Sequence, residues 1–286
     1  EIFLMNILTF DIEEWFHILD HNSTKTADNW SNYEYRLEAN MDTIFNLLDR
    51  NSQKATFFCL GWVAENFPNI IKKIDSYNYE IGTHSHMHQL AYRQSKKEFR
   101  DDLKKSINSI EDIIGKKVRI YRAPGFSIKK QNLWVFQELI KNGIEIDCSI
   151  FPANRAHGGL PSYEQAKPSI ISYGNDTLKE FPINTFNFLG QKIIFSGGGY
   201  FRLFPFELLK YLFKNSAYNM TYFHPRDFDF KQPIIEDLSL LRKFKSYYGL
   251  KYSLDKLDKV IKRFDFTDLR VADENIDWSK VQKIQL

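Results

Sequence analysis

Six short apolar runs rich in β-branched and aromatic residues, at 5–11, 55–60, 79–83, 118–122, 144–149 and 219–224, alternate with stretches of helical periodicity. Parallel strands need crossovers of a dozen or more residues, usually a helix, so this alternation restricts the chain to an α/β class built of βα units around a parallel sheet. The helix signals agree. Leu37, Met41, Ile44, Phe45 and Leu48 form one stripe of a helix, and Ser95 with Glu98 reads as a capping box opening a helix that Gly115 ends. Another helix stops at Gly143, Pro205 suits a helix start before Glu207, and Ser253 is predicted to cap a last helix through Leu254–Phe264.

The rhythm breaks between about 151 and 200, where Gly158-Gly159, Pro161, Pro168, Gly174-Asn175-Asp176 and Gly197-Gly198-Gly199 punctuate short extended pieces. This reads as an inserted hairpin and loop region beside the site. Because strand 219–224 resumes after it, a single catalytic domain over 1–286 is expected, with a helical C-terminal extension after about 230. The basic residues are dispersed and the net charge is only +3, which leaves no electrostatic footprint for nucleic acid. Cys59 and Cys148 lie in apolar runs without CxxC spacing and read as buried reduced thiols, although a disulfide between them stays open. No apolar run reaches the ~18 residues of a membrane span. The opening Glu1-Ile-Phe-Leu-Met lacks a basic leader before its apolar run, so a cytoplasmic protein is expected.

In parallel α/β architectures reactive groups gather where strand C-terminal ends meet the following loops. The first strand ends in Asp11, Glu13 and Glu14, and period two would set Asp11 and Glu13 on one face. The third runs into Gly82-Thr83-His84-Ser85-His86-Met87-His88, three of the chain's seven histidines within five residues. A spacing of four would bring His84 and His88 to one side of a helical turn, within reach of one divalent ion. No Glu follows the first His as in HExxH, so a general base must come from elsewhere, and Asp11 is the natural supply. Arg122, Asp147 and His224 stand at three further strand ends. Two His and a carboxylate on Zn²⁺ leave positions for water and a substrate carbonyl, which is hydrolase chemistry.

The order Thr9-Phe10-Asp11, His84-Ser85-x-x-His88, Arg122-x-Pro124-x-Phe126, Asp147-x-Ser149 and His224 resembles the polysaccharide deacetylase family, carbohydrate esterase family four, over residues 7–225. The resemblance implies a distorted (β/α)7 barrel, a zinc-type ion (with cobalt or manganese as alternatives), Asp11 as base, His84 and His88 as ligands, and His224 as acid. It further implies that Arg122 orients the base and Asp147 the acidic histidine. The family's usual Asp-Asp-Gly is replaced by Asp11-Ile-Glu13-Glu14-Trp15. The sequence is similar here to a branch with Asp-x-Glu, in which Glu13 is the third ligand and Glu14 the reserve.

The reading is a metal-dependent N-deacetylase acting on an N-acetylated sugar or polysaccharide in cell-surface glycan biosynthesis. Its partners would be the N-acetylated carbohydrate and no nucleic acid, with the oligomeric state left open. Two alternatives stand beside it: a hydrolase of a small cyclic amide on the same fold, and an inactive sugar-binding protein.

Overall fold

A computed structural model describes residues 5–286 apart from 20, 22–23, 25–26, 156, 165 and 189–190. The first four residues of the opening segment therefore lie outside the described residues. The chain divides into two compact units, each assembled from two separate stretches: Glu1–Ala55 with Phe186–Asp268, and Thr56–Thr185 with Leu269–Leu286.

The second unit is built on a sheet. Its strands stand in the order Lys283–Gln285, Ser169–Tyr173, Asp176–Glu180, Ile146–Asp147, Ile120–Tyr121, Glu80–Thr83 and Thr56–Cys59. Every neighbouring pair is parallel except the hairpin of Ser169–Tyr173 with Asp176–Glu180. Thr56–Cys59 and Glu80–Thr83 are buried at every position, which is why they read as unbroken runs rather than alternating ones. Helices Gly61–Asn66, Pro68–Ser76, Lys96–Ile114 and Val135–Lys141 intervene between successive strands. The capping box is realised as read: Glu98 N donates to Ser95 Oγ at 3.2 Å, Ser95 N donates to Glu98 Oε2 at 2.8 Å, and Gly115 closes the helix at φ +66°.

The irregular region does contain a hairpin, turning at Gly174 with φ +60°. Its second strand pairs parallel with Ile146–Asp147, so this hairpin extends the sheet. A second hairpin, Phe186–Phe188 with Gln191–Ile193, belongs to the first unit. The α/β class with a mostly parallel sheet follows from these pairings.

In the first unit Met5–Ile7 pairs parallel with Tyr218–Met220, and Thr9–Ile12 continues past a break at Leu8. Thr9 N donates to Thr221 Oγ1 at 2.9 Å, and Thr221 Oγ1 donates to Ile7 O at 3.0 Å. These side chains lock the two segments side by side where the ladder narrows to the single bridge Phe10–Phe223. Helix Leu37–Arg50 buries Leu37, Met41, Ile44, Phe45, Leu47 and Leu48, extending the predicted stripe by one residue. Phe206–Lys214 opens after Pro205, as expected. Ser253, in contrast, is not a cap. It adopts helical angles as the first residue of Ser253–Arg263, and a further helix, Leu269–Glu274, follows. Both cysteines are buried free thiols. Among the described residues no helix is long and apolar enough to cross a membrane.

Candidate active site

The first unit brings three of the sequence-predicted residues together. Asp11 N donates to Phe223 O at 2.7 Å, which holds the ends of the two segments abreast and sets Asp11 beside His224. His224 Nε2 lies 3.8 Å from Asp11 Oδ2 and 3.7 Å from Glu13 Oε1. Both carboxylates are nearly inaccessible, whereas the histidine ring keeps partial exposure. Such a group is wet enough to exchange protons and enclosed enough to feel its neighbours.

The other nitrogen of His224 faces Asp227, with Nδ1 3.0 Å from Oδ2. The same oxygen accepts the His224 backbone N–H at 2.9 Å, so Asp227 fixes ring and backbone together. Asp227 Oδ1 in turn accepts from the buried guanidinium of Arg202. Neither Asp227 nor Arg202 was foreseen. The spacing His224-Pro225-Arg226-Asp227 is the sequence signal for Asp227; nothing local marks Arg202 as its partner.

Glu14 is occupied elsewhere. Its Oε1 accepts from the N–H groups of Arg36 and Leu37 at 2.7 and 2.8 Å, and its Oε2 from Trp15 N at 3.1 Å. It therefore serves the unsatisfied donors at the start of helix Leu37–Arg50, even though burial pushes its carboxyl above the usual range.

The second unit holds the histidine cluster, and the predicted helical turn does not form. Residues 84–90 are irregular, with Ser85 at φ +74° and His88 at φ +53°. Those two left-handed residues fold the loop back so that the rings of His84 and His88 lie 5.4 Å apart. The loop is pinned from below: Asp102 accepts the N–H groups of His86 and Met87 at 2.7 and 3.0 Å, and Ser85 Oγ accepts from His88 N at 3.1 Å. His84 Nδ1 lies 2.9 Å from the carbonyl oxygen of Arg122. A carbonyl can only accept, so Nδ1 carries the hydrogen and Nε2 presents its lone pair, the tautomer a metal ligand requires.

His86 belongs to the packing. A Cβ added at Gly61 would fall 2.3 Å from its Nδ1 and 2.7 Å from Ser106 Cα, a measure of how tightly its ring is held. Burial lowers its pKa to about 4, against the pull of Glu65 and reinforced by Lys105.

Asp147 is wholly buried, and its oxygens accept Ser149 N at 3.1 Å and Ser149 Oγ at 2.6 Å. Opposite it in the strand register stands Glu180, also fully buried. Burial raises both carboxyls, and Glu180, pushed well up, keeps its proton and shares it with Asp147. The carboxylate on His224 Nδ1 is thus that of Asp227, while Asp147 is engaged by Ser149 and Glu180. Glu180 was missed because its strand lies in the region whose punctuation reads as loop. Arg122 is fully buried, its guanidinium 4.0 Å from the centre of the Phe58 ring.

The ligands that the resemblance implies fall in both units, Glu13 in the first and His84 and His88 in the second. The donor set, one carboxylate and two imidazoles of which His84 has its tautomer fixed, suits a zinc-type cation.

Residues 15–143 match the polysaccharide deacetylase family, and residues 148–273 match a domain of unknown function, DUF3473. A peptidoglycan-N-acetylglucosamine deacetylase of Bacillus cereus is 27% identical over 103 residues, 36% of this chain and 38% of that protein. A peptidoglycan deacetylase of Helicobacter pylori is 28% identical over 114 residues, 40% of this chain and 38% of its own length. The chain thus spans little more than a third of these curated relatives. Among solved structures, that of a Mycobacterium smegmatis protein named as an inferred polysaccharide deacetylase superposes with a TM-score of 0.68 at 17% identity, covering 99% of this chain and 93% of that one. The fold is that of the Mycobacterium smegmatis structure.

Proposed function

We propose that the chain is a metal-dependent hydrolase that removes acetyl from the nitrogen of an N-acetylated sugar, in the making or modification of a cell-surface glycan. The observation that carries this reading is that Asp11 and Glu13 both face His224 Nε2, at 3.8 and 3.7 Å, and the resemblance makes Glu13, His84 and His88 the ligands of the ion. When bound there, a divalent ion, zinc in the first instance, supplies Lewis-acid polarisation of the acetamide carbonyl and acidifies water toward a pKa of ~7.

The chain's own residues supply the proton traffic. Asp11 takes the proton of the attacking water, and its nearly complete burial makes that transfer local. His224 gives a proton to the departing amine from Nε2, because Nδ1 is committed to Asp227. The attack breaks the C–N bond, releasing acetate and a free amine. Arg122 orients Asp11 in this scheme, as the resemblance implies, and Asp147 with its partner Glu180 supports the strand end from which Ser149 projects.

The direct test measures acetate release from N-acetylglucosamine oligomers by protein stripped with a chelator and reloaded with zinc, cobalt or manganese. Acetate released only after reloading is the expected result. Protein that binds no metal and releases no acetate overturns the proposal, and opening of a cyclic amide without acetate release would replace its substrate.

A further inference from the structure

Helix Leu240–Tyr247 breaks the rule that an amphipathic helix buries its apolar face: none of its residues is buried. Leu240 is 85% exposed, Leu241 63%, Phe244 49%, and Tyr248 just beyond it 49%. At ~100° per residue these four share one stripe. The rings of Phe244 and Tyr248 lie 4.8 Å apart, making it continuous.

The helix is held in place by other means. Arg202 donates to the backbone oxygens of Lys245 at 2.7 Å, Ser246 at 3.2 Å and Tyr248 at 3.0 Å, and Arg242 Nη2 donates to Leu19 O at 2.7 Å. The fold thus fixes the helix by its C-terminal carbonyls and its polar side, leaving the stripe outward.

Charge completes the pattern. From 238 to 254 the sequence contains Arg242, Lys243, Lys245 and Lys251 and no acidic residue. At helical spacing Lys243 and Lys245 flank the stripe on opposite sides, where long side chains reach past apolar neighbours toward anionic groups. Like copies meeting stripe to stripe would bring these lysines against each other, which disfavours self-association. A soluble glycan would be met by ring faces with hydrogen-bonding side chains, whereas here the aliphatic Leu240 and Leu241 stand out furthest. We infer that this helix is a docking surface for an anionic phospholipid bilayer, with the stripe lying at the headgroup boundary and the lysines on the lipid charges.

The test is cosedimentation of the full chain with vesicles of phosphatidylcholine alone and of phosphatidylcholine mixed with phosphatidylglycerol. Binding should be confined to the anionic vesicles and weaken with salt. It should fall about fivefold for each of Lys243→Gln and Lys245→Gln. In the double variant Leu241→Ser, Phe244→Ser it should fall at least tenfold, by about the loss of two buried apolar side chains. An unchanged circular dichroism melt in each variant makes the loss one of docking and not of folding. Absence of binding to anionic vesicles, or binding that the double variant leaves intact, overturns the inference. So would a dimer in gel filtration that Phe244→Ser dissolves, which would assign the stripe to a second copy.

Discussion

His224 donates through Nδ1 to Oδ2 of Asp227, three residues further along the chain, at 3.0 Å. In the proposed mechanism that bond makes Nε2 the nitrogen that gives the proton. His224→Ala should lower acetamide hydrolysis by ~10²–10⁴ while sparing the fold. It should lower hydrolysis of an activated acetate ester far less, because that leaving group departs without a proton. Equal loss on both substrates would show that His224 positions substrate instead of donating. Asp227→Asn should cost catalysis less than His224→Ala but stability more. It leaves the buried Arg202 without its carboxylate, at about 3–5 kcal/mol, measurable by chemical denaturation.

Asp11 and Glu13 both face His224 Nε2, at 3.8 and 3.7 Å, yet the proposal assigns them different work. Asp11→Asn keeps shape and loses proton acceptance, so the rate should fall by ~10²–10⁴ with metal content unchanged. Glu13→Gln should reduce metal content itself. Metal analysis of both variants after equal dialysis separates the roles, and a reversed result would reverse them.

Of the three neighbouring histidines only His84 and His88 should matter for metal. His86→Ala should retain the ion, whereas His84→Ala and His88→Ala should lose it. His86 has a second signature. Folded, it stays neutral down to about pH 4, while unfolded it takes a proton near its ordinary value of about 6.5. Between those values the unfolded state binds more protons, so the protein should lose stability as pH falls through this window. His86→Asn should shrink that loss in denaturation curves taken across it.

The sequence made much of this molecule legible, and the gaps have physical causes. The six apolar runs surface as strands because parallel strands buried on both faces cannot hide their composition, as Thr56–Cys59 shows. Lys283–Gln285 escaped notice because it is a short, largely exposed edge strand whose polar residues carry no alternation signal. Asp11, Glu13 and His224 were readable since strand ends are where parallel folds expose chemistry. The rings of His84 and His88 do come near each other, though not through the helical turn that their spacing suggests. Positive φ at Ser85 and His88 is a tertiary effect, with neither residue a glycine to announce it. Glu180 and Arg202 could not be read at all, because their significance lies only in partners distant along the chain.

Glu180 supplies the remaining test, of stability rather than catalysis. Its carboxyl is fully buried opposite Asp147 in the strand register and retains its proton well above the ordinary range, first through burial and then through Asp147's charge. Unfolded, it ionises like any glutamate. Between the unfolded and folded values the native state binds one proton more than the unfolded state, so stability falls as pH rises above the ordinary carboxylate range, by at most ~1.4 kcal/mol per pH unit. Glu180→Gln is neutral at every pH, and its amide can still donate to Asp147, so the variant should unfold at similar denaturant at about pH 5 and show a flatter decline above it. Glu180→Leu removes the donor and leaves Asp147 to bear burial with its hydrogen bonds from Ser149 and the Cys148 backbone, so it should destabilise throughout, by about 1–3 kcal/mol. A wild-type protein whose stability is flat from neutral to alkaline pH, or a Gln variant that declines in parallel with it, would mean that Glu180 is ionised in the native state and that the pair does not share a proton.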